Sequence, residues 1–335
     1  MSRCSLGKPA DSLVVVVVVV AQDAVISTEC TAIPIAYVMV SQMADADHPD
    51  TVPTLFVLLR PTRCYSGPIT SHLHPGIEDQ PMSQTLFMIH GMWGTGAHWN
   101  NWRAFFESEG FRCLTPTLLY HDQPPGTLPD DALGTTSLED YTDDLERQIV
   151  ALEEPPIIIG HSMGGLLAQK LAARGLGAKT VLLHPAAPAG VLSLRWSVMR
   201  SFASCLTKWG FWKRPHLTRF AEISYSSLHQ LSREEQREVY STMVPESGRA
   251  IFEIGLWTLD RHRASAVDPS RVRTPMMVTT GTPDRIVPAS VVRKVAGRYP
   301  TLDHFREFPD QAHWVMSQPG WENVAACVLD WIRKD

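Results

Sequence analysis

The chain has 335 residues, 44% of them hydrophobic and 19% charged, with 25 Pro and 21 Gly. This composition excludes global disorder, and the length supports one large α/β domain or two smaller ones. With 30 basic against 35 acidic residues, the chain is no polycationic nucleic-acid binder, and no nucleic-acid partner is expected.

The first 81 residues differ from the rest. A valine homopolymer, Val14 to Val20, lies between Leu13 and Ala21, an apolar run well short of the ~18 to 20 residues that span a bilayer. Arg3, Lys8 and the small residue Ala21 give it some likeness to a signal peptide. Asp11 in the basic region and the poor helix propensity of consecutive valines count against that. Pro34, Pro49, Pro53, Pro61, Pro68, Pro75 and Pro81 interrupt the remainder of this segment. His72 and His74 form an HxH pair that finds no further ligand motif at a matching spacing, so no metal is expected. Residues 1–81 therefore read as an irregular extension, and the folded domain is expected over 82–335. The six cysteines include no CxxC pair, and three of them, Cys113, Cys205 and Cys327, lie beyond residue 81. An odd number cannot pair fully, which favours a reducing, cytoplasmic setting. Secretion is the alternative if residues 1–21 act as a leader.

From Met82 strands and helices alternate. Thr85 to Ile89 predicts a buried strand that stops at His90-Gly91. A helix comes next, from about Trp99 to Glu109, then a short strand over Phe111 to Leu114. Ser137 with Asp140 marks a helix start, and Leu138, Tyr141, Leu145, Ile149 and Leu152 supply its apolar face. Strands are predicted at Pro156 to Ile159, Thr180 to Leu183, Met276 to Thr280 and Phe305 to Phe308. Helices are predicted at Gly164 to Ala173, after Pro288, and from Trp321 to Ile332. The pattern predicts an α/β fold: a mostly parallel sheet with helices on both faces. A helical region inserted over about 188–262 would form a cap.

The segment Gly160-His161-Ser162-Met163-Gly164 lies between an apolar strand and a helix. The GxSxG spacing alone is a weak signal. In this context it predicts a sharp turn that projects the Ser162 hydroxyl, with small residues two positions either side because side chains there would collide. The N–H of Met163, at the start of a helix, would point at a substrate oxyanion.

On these residues the chain resembles the α/β-hydrolase superfamily over nearly all of 82–335. The resemblance makes His90-Gly91-Met92-Trp93-Gly94 the oxyanion loop, with Met92 N–H as second donor. It makes Asp284, after the penultimate strand, the acid, and His313, after the last strand, the base. His90 is then expected to order the oxyanion loop and His161 to pack beside the nucleophile. His184 ends a strand, with no later strand in the right order for a base. Asp303 and Asp310 read as surface residues. Larger members usually carry two further strands ahead of the oxyanion strand. Here the fold begins almost directly with it, as in plant-type esterases and hydroxynitrile lyases, unless residues 1–81 hold the further strands.

A serine nucleophile implies attack on an ester, thioester or activated amide, with no cofactor. Carboxylic ester hydrolysis is the leading expectation, and the expected partner is a small-molecule ester. A cofactor-free perhydrolase, a hydroxynitrile lyase (which would need a lysine near the site) and a ligand-binding protein that lost turnover are the alternatives. Within the cap, Leu192, Trp196, Met199, Phe202, Leu206 and Trp209 recur at helical spacing, and between residues 185 and 221 there are basic residues but no acidic one. The expectation is one apolar helical stripe that either simply packs on the domain or lines an acyl pocket, in which case Trp93, His161, Trp196 and Phe202 are the substrate-binding residues. No membrane span is expected, and the basic flank would allow interfacial lipid contact.

Overall fold

The computed structural model describes residues 84–192 and 195–334, together with the dipeptides Val14–Val15 and Thr54–Leu55. The chain divides into two units, residues 1–75 and 76–335. In the first, Val14–Val15 pairs in parallel with Thr54–Leu55. The rest of the valine run, the His72/His74 pair and the change of pattern at Met82 lie outside the described residues.

The second unit is built on six strands: β1 (Thr85–Ile89), β2 (Arg112–Leu114), β3 (Ile157–His161), β4 (Lys179–Leu183), β5 (Met276–Gly281) and β6 (Leu302–Phe308). All neighbours pair in parallel, in the order β6-β5-β4-β3-β1-β2. The short apolar runs are strands because the sheet is covered by helices on both faces, so alternate side chains have no polar side to prefer. Ile157, Ile158 and Ile159 of β3 are fully buried, each contributing about 1.5–3 kcal/mol relative to exposure. The covering helices are α1 (Asn100–Ser108), α2 (Leu138–Val150), α3 (Met163–Ala173), α9 (Ala289–Ala296) and α10 (Trp321–Ile332). Helix α2 begins with the predicted capping box: Ser137 Oγ accepts from Asp140 N–H at 3.1 Å, and Asp140 Oδ2 accepts from Ser137 N–H at 2.8 Å. β1 pairs with β2 on one side and β3 on the other. The chain therefore reverses its progress across the sheet there, which opens a crevice at the carboxyl ends of these strands.

Between β4 and β5 lie α4 (Trp196–Ser201), α5 (Ala203–Leu206), α6 (Phe220–Ser226), α7 (Arg233–Ser241) and α8 (Gly248–Gly255). They are joined in part by an antiparallel pairing of Pro215–His216 with Glu246–Ser247. The continuous amphipathic helix expected from Leu192 to Trp209 is absent: the backbone leaves helical geometry at Phe202, with φ −115° and ψ 13°. The cause is a tertiary contact. In an unbroken helix Ser204 N–H would donate to the carbonyl four residues earlier, but it donates instead to the Glu222 carboxylate at 2.6 Å. Glu222 also accepts from the Ser204 hydroxyl. Trp196 and Trp209 are 79% and 92% exposed. No helix among the described residues is long and apolar enough to cross a membrane.

Candidate active site

Every chemically reactive side chain of the site is carried at or just beyond the carboxyl end of a sheet strand. Ser162 follows β3 and caps α3 with φ 55° and ψ −119°. A side chain costs about 1–3 kcal/mol in so sparsely populated a conformation. The surrounding turn enforces it. Ser162 N–H donates to Leu183 C=O at 3.1 Å, and Ser162 C=O accepts from Ala186 N–H at 2.8 Å. The flanking glycines leave no room for a Cβ. At Gly160 one would stand 2.2 Å from Gly164 O, and at Gly164 one would stand 2.2 Å from Ile89 O.

The Ser162 hydroxyl donates to His313 Nε2 at 2.9 Å. His313 Nδ1–H donates to Asp284 Oδ2 at 2.7 Å. Asp284 Oδ1 accepts from the N–H groups of Ile286 and Val287 at 2.9 and 2.8 Å. Burial by itself would raise the Asp284 pKa, but the adjacent His313 and the hydrogen bonds from His184 and His313 hold it well below the usual carboxylate range. His184, Asp284 and His313 are also the one cluster with metal-ligand chemistry among the described residues. Their donor atoms converge because both imidazoles point at one carboxylate oxygen.

The loop of residues 90–94, expected to bind an oxyanion, follows β1. His90 Nδ1–H donates to Gly91 C=O at 2.8 Å, while Nε2 accepts from Leu118 N–H at 3.0 Å. These bonds fix one tautomer, and burial, followed by the nearby His121, lowers the His90 pKa, which keeps the ring neutral. Trp93, with φ 61°, is tied to the inserted segment by two bonds. Its Nε1–H donates to His216 C=O at 3.0 Å, and its carbonyl accepts from Val244 N–H at 3.1 Å. Met163 N–H, the first of α3, has no acceptor within the helix by geometry. Ser162, His313, Met92 and Met163 all face one cavity of about 450 Å³. Its walls are mostly apolar, and among the described residues no lysine lines them.

A family model described as the alpha/beta hydrolase family matches residues 86–325. The chain belongs to the alpha/beta hydrolase family. Solved structures to which it is similar include an Arabidopsis methylesterase, at 14% identity over 74% of this chain and 98% of that one, with TM-score 0.57. Tomato methylketone synthase I complexed with 2-tridecanone is similar at 13% identity over 75% and 98% of the two chains, TM-score 0.56. Paleococcus ferrophilus monoacylglycerol lipase is similar at 20% identity over 74% and 93%, TM-score 0.54. At such identities the likeness concerns the fold alone. No curated protein matches the chain by sequence.

Within this family fold, the structure brings Ser162, Asp284 and His313 together. It lines the cavity with Met92, Trp93, His161, Met163 and Phe202. His161 faces the cavity, but its Nε2–H is spent on His313 C=O at 2.8 Å, so it braces the loop that carries His313. Phe202 packs against Trp93, with ring centroids 5.7 Å apart. Trp196, expected to bind substrate, is instead exposed and does not line the cavity: α4 begins only at Trp196, after an extended Arg195, and it is Met199, later in the same helix, that faces inward. Leu192, Met199, Phe202 and Leu206 of the expected stripe do line it, and Trp209 does not. Asp260, the other buried aspartate, is spent on Arg249 and the N–H groups of His262 and Ala264. Asp303 and Asp310 are exposed. Cys113, Cys205 and Cys327 are unpaired, and burial pushes the Cys113 and Cys205 thiols up to about 12, far from thiolate chemistry.

Two features escaped the sequence. His184 donates through Nδ1–H to Asp284 Oδ2 at 3.3 Å. The signal available was its place directly after β4, since the other strand ends also carry functional groups. The second is a buried cluster of three residues beside His90. His121 Nε2–H donates to Glu246 Oε2 at 3.2 Å, and Tyr141 OH donates to Glu246 Oε1 at 2.8 Å. Nothing local in the sequence connects residues so far apart.

Proposed function

We propose that this chain hydrolyses carboxylic esters through an acyl-enzyme on Ser162. The observation that supports the reading best is the unbroken relay from the Ser162 hydroxyl through His313 to Asp284, opening into an apolar cavity. His313 takes the serine proton as Oγ attacks the ester carbonyl, and Asp284 stabilises the imidazolium that forms. The N–H groups of Met92 and Met163 receive the oxyanion of the tetrahedral intermediate. Collapse expels the alcohol, protonated by His313. Water, deprotonated by the same imidazole, then releases the acid. Residues 82–335 act as the catalytic unit, and the segment of about 188–262 acts as a cap over it.

The acyl chain lies against Leu192, Met199, Phe202 and Leu206, which favours medium chains over acetate. Each enclosed methylene contributes about 0.8 kcal/mol. Exposed Trp196, Arg195 and Arg200 on the outer side suit contact with a lipid surface. Among the described residues no lysine lines the walls, which favours hydrolysis over a hydroxynitrile-lyase reaction. The test is labelling by a fluorophosphonate alongside turnover of p-nitrophenyl esters of increasing chain length. Labelling and turnover are both expected to vanish in Ser162→Ala. Persistence of either in that variant would remove Ser162 as the nucleophile and with it the proposal.

A further inference from the structure

His184 is fully buried, with a positive φ of 47°, and its ring fills a slot beside Gly281, where a Cβ would stand 2.9 Å from its Cε1. Its Nδ1–H points at Asp284 Oδ2, the same oxygen that accepts from His313. Its Nε2 is buried without a partner. The flanking backbone holds the other end of the relay: Leu183 C=O accepts from Ser162 N–H, and Ala186 N–H donates to Ser162 C=O. A single short segment after β4 thus clamps the nucleophile through its main chain and the acid through a side chain.

From this geometry we infer that His184 is a positioning residue, which fixes Asp284 Oδ2 and takes up part of its negative charge, so setting how strongly that carboxylate holds the His313 ring. The inference rests on the Ser162–His313–Asp284 reading. His184 completes the acceptor capacity of Asp284, which takes two backbone N–H groups on one oxygen and two imidazole N–H groups on the other. It does so as a neutral ring, since burial lowers its pKa. Without that donor the carboxylate concentrates its charge on His313 and gains rotational freedom, so the base becomes more basic and less well aimed. The other ionisable groups around Asp284 and His313 are His161, His229 and Arg285, and substitution at His184 leaves all three in place.

The experiment is the pH profile of kcat/KM for a p-nitrophenyl ester in the full chain, comparing H184L with H184N. The Asn side-chain amide can offer a donor where Nδ1 stands, and Leu cannot. In H184L kcat is expected to fall by on the order of tenfold, the loss of one hydrogen bond to a charged group. KM should hold, since His184 does not line the cavity. The acidic limb should move to higher pH by roughly half a unit or more. H184N is expected to restore both kcat and the limb. An unmoved limb in a folded H184L, or an H184N no better than H184L, overturns the inference. If H184L does not fold, the wild-type protein provides the reading by nitrogen-15 NMR of its imidazoles. The His184 proton must sit on Nδ1 and respond to Asp284→Asn, and a proton on Nε2 overturns the inference equally. Activity surviving in Ser162→Ala would instead mark failure of the underlying triad.

Discussion

The two sides of the cavity are held by different kinds of bond. The floor, with Ser162, Asp284, His313 and the loop of residues 90–94, hangs from parallel strands whose backbone ladder and buried side chains leave little freedom. The roof, from Leu192 to Leu256, consists of short helices braced by individual polar contacts. Among these are Glu222 to Ser204, Trp93 to His216, Tyr240 to Thr218, and Glu246 to His121 and Tyr141. Groups that transfer protons need positions fixed to a fraction of an ångström, and the sheet supplies them. In the proposed reaction, groups that only enclose an acyl chain tolerate a roof that differs in detail.

The largest effects belong to the floor. Ser162→Ala, His313→Ala and Asp284→Asn are each expected to reduce kcat/KM by at least about a thousandfold, and the double variants hardly further, because the three act as a unit. Purified single and double variants assayed on one ester give the comparison. Additive losses would mean that the groups do not form one relay.

Next comes the turn that presents Ser162. An Ala Cβ at Gly164 meets Ile89 O, a main-chain atom of β1 that cannot rotate away. Gly164→Ala is therefore expected to cost about 3 kcal/mol or more, read as a lowered denaturation midpoint, with activity lost as well. A glycine on the exposed side of the chain, Gly126, has nothing within reach of a Cβ. Gly126→Ala is strained only by its positive φ, so it should cost about 1 kcal/mol and leave turnover intact.

How far the sequence could be read obeys the same division. Thr85 to Ile89, Ile157 to His161 and Met276 to Gly281 are strands because they are buried on both faces, and continuous apolar runs report that directly. Ser162 is legible because a strand, a GxSxG turn and a helix must coincide for that motif to mean anything. The roof has no such local signature. The spacing from Leu192 to Trp209 does fit a helix, but Glu222, eighteen residues from Ser204 along the chain, captures the N–H that would continue it. Local periodicity cannot register a competitor of that kind, nor the pairing of His121 with Glu246 across 125 residues.

That pair gives a roof effect of intermediate size with a defined pH dependence. Burial tends to lower the His121 pKa, but the charge and hydrogen bond of Glu246 outweigh it, so the folded value is raised. A raised folded pKa stabilises the protein fully below the unfolded value of about 6.5 and loses that contribution as pH rises through the folded value. Glu246→Gln keeps an acceptor for Tyr141 but removes the charge. It should destabilise by up to about 3 kcal/mol near pH 6, and by much less at alkaline pH. Urea unfolding at both ends of that range checks the sign. An equal loss at both would mean that His121 is not charged in the folded protein.

The smallest expected effect separates the roof's inner surface from its outer one. Phe202 touches Trp93 and faces the cavity, whereas Trp196, six residues earlier, is mostly exposed. Truncating Phe202 to Ala opens the wall beside the acyl chain, and the site loses contact with the carbons that distinguish a medium chain from acetate. At about 0.8 kcal/mol per methylene, the preference for an eight-carbon over a two-carbon ester should shrink by roughly tenfold as two carbons lose enclosure. Trp196→Ala should leave the ratio unchanged on soluble esters, because no wall is altered. On ester emulsions or vesicles, the Trp196 variant should lose activity while Phe202→Ala retains its interfacial response, since only the outer aromatic can enter a lipid surface. Measured side by side, the two variants therefore give opposite patterns on soluble and aggregated substrate. If Trp196→Ala alters the soluble chain-length ratio, the tryptophan turns inward when substrate binds, and its exposed position is not the one it holds during turnover.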